Sequence, residues 1–330
     1  MPNARSRVLS ISLFATLAAC ATTTPTPRPQ PTLQAPPKAT TLLPGTKPGA
    51  ANQFRNIVGE YDSNRGIVFV IEDSARLWLV DTASATRTRR AILPTTIAEL
   101  HLTRREVGPQ EGSNQLQVTP VRSIVDIRRD ALAASPPAEP TPARKTNLVE
   151  LTALDPTIRL EIRYATTNNF LGTRFYDEAR AFMQRPAAEA VVRANQKLRT
   201  LGYGLLIHDA YRPWYVTKMF WDATPVDKRW LVANPAEGSK HNRGAAVDLT
   251  LFDLATGQPI EMPSTYDEST GRAYAEYPGG TSLQRWHRAL LRNAMVGEGF
   301  LVNPSEWWHF DYSSWRDYGI GNVKFDLIGH

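Results

Sequence analysis

The 330 residues predict an α+β protein, in which a domain of helices packed on a small, mainly antiparallel sheet is preceded by a small all-β domain. Three observations carry this expectation. Residues 54–128 hold short β-branched and aromatic runs separated by turn residues; from Asn147 onward helical and strand periodicities are mixed; and two proline-rich stretches, 21–50 and 131–145, mark joints. A chain of this length with 42% hydrophobic residues has enough apolar side chains for about two domains of ordinary size.

In the first domain, taken as 51–130, the runs 66–71 and 76–80 are the clearest strands, and Glu72-Asp73-Ser74-Ala75 between them suits a hairpin loop. Segments 98–103 and 115–121 alternate over shorter lengths, so that about six strands in some 75 residues predict a small barrel or sandwich. No cluster of chemistry-bearing residues falls here, which makes it an accessory or spacer domain. The stretch 131–145 holds four prolines and five alanines and is expected to separate it from a second domain, 146–330.

There, 186–201 reads as a helix with Pro186 in its first turn, Val191, Ala194, Leu198 and Leu201 on one face, and Gly202 just past its end. A short strand (203–208), a helix (213–221) and a buried strand (244–252) follow. Leu283, Trp286, His287, Leu290, Leu291 and Ala294 trace the inner stripe of a last long helix before an aromatic-rich strand segment, 300–312.

At the other end of the chain, Arg5 and Arg7 precede an apolar run over 8–17 that closes on Leu17-Ala18-Ala19-Cys20. Residues 1–20 thus read as a secretory signal too short to span a bilayer. The Leu-Ala-Ala-Cys ending resembles the bacterial lipobox, which implies lipidation of Cys20 and membrane attachment through that lipid. Ala21 resembles a sorting signal for the outer membrane, so the expected location is the periplasmic face of that membrane in a bacterial cell envelope. Between 21 and 50, 16 of 30 residues are Pro or Thr, a composition suited to a tether.

Composition excludes some classes. A single cysteine rules out an intrachain disulfide framework and any metal site built on several thiolates, leaving His, Asp and Glu as ligands. The formal charge of +6 is uneven: residues 1–145 carry 18 Lys+Arg against 11 Asp+Glu, residues 146–330 carry 20 against 21. The near-neutral second domain and the absence of an aromatic ladder among the N-terminal arginines argue against a nucleic-acid partner.

Two of the six histidines keep unusual company. His241 lies in Ser239-Lys240-His241-Asn242-Arg243-Gly244-Ala245-Ala246-Val247-Asp248, where Asp248 opens an apolar strand and needs a partner: a metal, an Arg or a backbone cap. His309 lies in Glu306-Trp307-Trp308-His309-Phe310. Two His and one Asp leave a tetrahedral zinc one open position for water, the layout of a catalytic site. Glu306 is the natural base beside His309, and Arg212, in His208-Asp209-Ala210-Tyr211-Arg212-Pro213 at a strand-to-helix turn, is the candidate to stabilise an oxyanion.

The Ser-x-His-x-x-Gly-x-Ala-x-Asp segment 239–248, the Glu-x-x-His of 306–309, Asp-Ala-Tyr-Arg-Pro at 209–213 and Arg163-Tyr164-Ala165-Thr166-Thr167-Asn168-Asn169-Phe170 resemble the bacterial zinc D-alanyl-D-alanine dipeptidases, the VanX-like family, over about 146–330. The resemblance implies one zinc per chain held by His241, Asp248 and His309, Glu306 as general base, Arg212 stabilising the transition state, and substrate contacts from Tyr164, Ser239 and the acidic segment around Asp267. The implied substrate is a small dipeptide. Two other readings remain: a zinc D,D-carboxypeptidase trimming peptidoglycan stem peptides, and a non-catalytic cell-wall-associated lipoprotein. The chain departs from the family at Arg272-Ala273-Tyr274-Ala275-Glu276, where members often carry an Arg-Ser-His-His-like stretch, and in its extra β domain. Around Val58-Gly59-Glu60-Tyr61 that domain is similar to small modules appended to cell-wall hydrolases, which implies cell-wall contact.

Overall fold

The computed structural model describes residues 43–81, 88–105 and 117–329; Cys20, the signal segment and most of the expected tether lie outside them. Five strands form the first sheet: β1 (Gly59–Ser63), β2 (Gly66–Asp73), β3 (Arg76–Asp81), β4 (Arg89–Ile92) and, after a four-residue helix α1 (Thr96–Glu99), β5 (Thr103–Arg104). Their order is β4-β3-β2-β1-β5, every pairing antiparallel. The β2–β3 hairpin turns on Ser74 and Ala75, both at positive φ (55° and 59°). That conformation matches strand twist but normally favours Asn-Gly. Here Glu72 steadies it by accepting the Ala75 N–H (2.9 Å).

This is one sheet rather than a barrel or sandwich. Val58, Tyr61, Val68, Val70, Leu77 and Ile92 form its small core, too few apolar side chains to fill the space between two layers. Segment 98–103, expected as a strand, is divided between α1 and β5. Pro94 precedes the helix, and the Thr96 hydroxyl accepts the Leu93 N–H (3.2 Å), which favours a turn there.

The joints also differ from expectation. The described part of 115–121 holds no strand: Val118 enters the larger core, and the backbone N–H groups of Val118 and Val121 donate to Phe170 and Ala223 carbonyls (2.8 and 3.0 Å). Helix α2 (Ile124–Ala133) follows, with Ile127 and Ala131 buried in that same core. Their i, i+4 spacing makes a helical stripe once a second surface covers it. Nor does the Pro/Ala-rich stretch stand off as a spacer, for Glu139 pairs with Arg243 and accepts the Ile320 N–H (2.8 Å), while the Arg144 N–H donates to Asp317 (2.9 Å). At the described end of the tether, the Gly45 carbonyl accepts from the Trp286 indole (3.1 Å).

The larger domain runs β6 (Leu148–Glu150), α3 (Leu151–Leu154), β7 (Arg159–Leu160), β8 (Phe182–Gln184), α4 (Arg185–Arg199), β9 (Tyr203–Asp209), α5 (Trp214–Ala223), β10 (Ala246–Asp253), α6 (Ser282–Val296), β11 (Phe300–Asn303) and β12 (Glu306–Tyr312). Its main sheet has the order β11-β12-β10-β9-β7, with only β7–β9 parallel, and β6–β8 form a separate pair. Val247, Leu249 and Leu251 of β10 share a core with Leu198 of α4 and Leu290 and Leu291 of α6. By the two-residue period of a strand, Asp248 and Thr250 therefore face the other way.

The two sheets are joined by a polar lock. Glu72, 1% exposed, accepts the backbone N–H (2.9 Å) and hydroxyl (2.6 Å) of Ser282 at the start of α6. A carboxylate there satisfies helix donors and complements the positive end of the helix dipole. Phe69 meets Tyr277 edge-on, with centroids 5.5 Å apart. No helix among the described residues is long and apolar enough to cross a membrane.

Candidate metal centre and active site

Sheet register assembles most of the site. Asp248 stands opposite His309 on β12 and opposite Asp209 on β9, so three strands bring three ionisable residues to one line. His241 arrives from a helical turn, His241–Arg243, which ends on Gly244 at φ 64°. That left-handed conformation favours glycine in the turn that aims His241 at the sheet, and a Cβ there would also have to displace the end of the Leu148 side chain.

His241 Nε2 lies 3.2 Å from His309 Nδ1, and Asp248 reaches His309 Nδ1 at 2.9 Å and His241 Nε2 at 3.5 Å. One ligand atom from each of the three residues lies within 4.8 Å of the others, and all three residues are buried. The outward ring atoms are engaged. His241 Nδ1 meets the Ala210 carbonyl (2.7 Å), and His309 Nε2 meets Asp311 (2.9 Å), which is itself held by Lys240 Nζ (2.6 Å). With N–H groups pointing outward, two nitrogen lone pairs and a carboxylate converge inward with no donor between them. Such a donor set fits a cation, with the outer partners fixing tautomer and orientation. Burial opposes a charge on His309, but Asp311 and Asp248 hold it well above the usual imidazole range. Burial alone would raise Asp248, yet the two histidines keep it well below the usual carboxylate range.

Glu306 stands 3.8 Å from His309 Nδ1 and accepts from the Asn303 amide (2.9 Å). Lost hydration raises its carboxyl, with His309 opposing and Asp248 adding to the rise, although its side chain keeps 39% exposure. Arg212 is not a surface residue at a helix start: it is buried, donates to Asp209 through Nε (3.0 Å) and Nη2 (2.7 Å), and lies over the rings of Tyr164 and Phe220. Burial would discharge it, but Asp209 outweighs that and keeps it firmly charged.

Tyr164 donates to Asp267 (3.1 Å), whose backbone is held at φ 59°. Burial, then the Asp248 and Glu306 carboxylates, push Asp267 up to about 8. Ser239 accepts the His241 backbone N–H through its hydroxyl (3.3 Å), so it touches the site through the turn. Glu268 is spent on its own loop, accepting from Thr270 (2.5 Å) and Thr265 (3.3 Å).

Sequence reasoning missed three supporting groups, Asp209, Asp311 and Lys240, and it took Tyr266 as part of the substrate-contacting segment around Asp267, whereas its hydroxyl donates to Asp248 (3.0 Å). Asp311 had a readable signal, since two residues beyond His309 on a strand is the same face. The link from Lys240 to Asp311 crosses 71 residues and had none.

A buried His/Asp/His cluster beside a carboxylate, on the face of an α+β sheet turned away from its helices, is the layout of a metal-dependent hydrolase. Residues 144–318 match the family described as D-Ala-D-Ala dipeptidase, peptidase family M15, whose members are metalloenzymes, and the chain belongs to that family and is a peptidase. It is 35% identical over 183 residues to the D-alanyl-D-alanine dipeptidase of Escherichia coli K12, covering 56% of this chain and 93% of that one. It is 32% identical over 188 residues to the enzyme of the same name from Enterococcus faecium, covering 52% and 92%. The first sheet lies outside the matched segment.

Proposed function

We propose that the protein is a zinc D-alanyl-D-alanine dipeptidase, with one zinc held by His241, Asp248 and His309. The observation that carries this reading is the convergence of two imidazole lone pairs and a carboxylate whose outer atoms are already engaged. Zinc bound there supplies Lewis acidity and lowers the pKa of a water molecule. Glu306, fixed by Asn303, takes the proton from the attacking water and returns it to the leaving amine. Arg212, immobilised by Asp209 and the two rings, offers fixed positive charge to the oxyanion that develops. Asp267 is a carboxyl short of a positive partner, which the dipeptide ammonium supplies, with Tyr164 orienting it. Ser239 contacts the substrate from the His241 turn.

Comparing kcat/KM for D-Ala-D-Ala, N-acetyl-D-Ala-D-Ala and a pentapeptide with the same ending tests the reading. The free dipeptide should be favoured at least roughly a hundredfold, about 2.7 kcal/mol in transition-state binding. Equal or better cleavage of the pentapeptide would instead indicate a carboxypeptidase, and no cleavage of any substrate a non-catalytic protein. The lipobox-like sequence supports anchoring through Cys20 at the outer membrane. Recovery of Cys20→Ser in the membrane pellet as fully as the wild type would overturn that anchor.

A further inference from the structure

A cavity of about 1020 Å³ lies between the first sheet and the larger domain, at the upper end of the size range of small-molecule sites. Its floor is the same sheet face that carries the metal centre: Thr250 lies two residues beyond Asp248 on β10, and Trp307 two before His309 on β12. Tyr266 stands between the two places, its hydroxyl on Asp248 and its ring stacked on His208 at 4.6 Å. The roof is Arg55 to Gly59 with Arg104 and Arg105, all outside the segment matched by the peptidase family.

The lining is unusual in charge and in unmet hydrogen bonds. Five arginines (55, 104, 105, 163 and 272) face two glutamates, Glu161 and Glu261. Glu261 engages Arg55, and Glu161 reaches Arg163 at only 3.5 Å. Arg104 donates to the neutral carbonyls of Asn56 (2.5 Å) and Val58 (3.2 Å), and Arg105 has Asp62 at 3.8 Å on the exposed rim. Among the described residues six buried side-chain polar atoms lack a partner, and three of them belong to residues lining this one cavity: Arg163 Nε, Thr250 Oγ1 and Thr265 Oγ1. These three atoms are themselves closed to solvent, so the anion-binding character of the cavity rests on its arginines. Guanidinium forks match carboxylate and phosphate oxygens.

We propose that this cleft is a second ligand site, separate from the peptide-cleaving centre, for a small molecule bearing two or more carboxylate or phosphate groups. The anionic groups meet Arg104, Arg105 and Arg163, and the apolar body lies on Met262, Tyr266 and Trp307. The first sheet then has a function that the spacer reading lacks: it completes the site.

Calorimetric titration of the zinc-loaded protein with glutamyl-glutamate and with fructose 1,6-bisphosphate separates carboxylate from phosphate recognition. At least one should bind saturably, with Kd raised about tenfold or more in Arg105→Gln, an exposed position that leaves folding intact, and in Arg163→Gln. Binding should persist in His309→Ala. Absence of saturable binding by either probe would overturn the proposal, as would binding that survives both arginine substitutions but is lost with His309→Ala. The second pattern would place the anion at the metal, and neither bears on dipeptide cleavage.

Discussion

The two sheets share an antiparallel ladder but treat their central strands differently. In the first, β2 alternates: Val68 and Val70 are buried, while Phe69 between them is only partly so and meets the larger domain. In the second, β10 is buried along all but its last residue, yet holds Asp248 and Thr250 among aliphatic neighbours. A strand covered on both faces leaves a charge no solvent, so Asp248 is stable only because His241, His309 and Tyr266 surround it. The first sheet also buries a carboxylate, Glu72, and resolves it by borrowing donors from α6. One buried acid sits in the candidate metal centre and the other makes a joint. The difference lies in the partners: Asp248 has two imidazoles that could share a cation with it, besides the Tyr266 hydroxyl, whereas Glu72 has only N–H and O–H donors.

That contrast predicts a graded set of outcomes. The largest should come from His241→Ala, Asp248→Ala and His309→Ala: elemental analysis after dialysis should show the metal gone, and turnover should fall by more than about a thousandfold, since metal chemistry supplies several kcal/mol. One zinc retained at wild-type affinity in all three would refute the ligand assignment. Glu306→Gln should keep the metal but lose about 10²–10⁴-fold in turnover. Near-normal turnover would remove Glu306 from the chemistry.

Smaller again is Asp311→Asn, which should weaken metal binding by about 10–100-fold in a chelator competition by loosening His309 and stranding Lys240. An unchanged affinity would mean that register alone orients the ring. Least for the chemistry is Glu72→Ala. It leaves the Ser282 and Ala75 N–H groups without their acceptor and should cost about 1–3 kcal/mol in denaturant unfolding. Turnover per folded molecule should stay at the wild-type level; a loss beyond tenfold would show that the joint tunes the centre.

The candidate ligands could be read early because their signal is local. His309 lies three residues from Glu306, and Asp248 is out of place in an apolar strand at any fold. The helix at 186–201 was legible from apolar spacing and from its terminal Pro and Gly residues, and the one at 213–221 opens on Pro213. Segments 98–103 and 115–121 misled because a few alternating residues carry little information once a neighbouring surface exists. Val118 and Ile127 are buried by the larger domain, a partner no short window contains.

The sequence by itself determined the class of the larger domain, the strands that carry two of the three candidate ligands and the residue types able to hold a metal, because periodicity and side-chain chemistry act within a few residues. Only the tertiary structure decided that Asp209, Asp248 and His309 share one line, that Lys240 steadies His309 through Asp311, and that Arg212 is buried against Asp209. It also decided that the first sheet is locked to α6 and roofs an arginine-lined cleft. These depend on strand register and on desolvation between segments far apart in the chain, and both exist only once the sheet has closed around them.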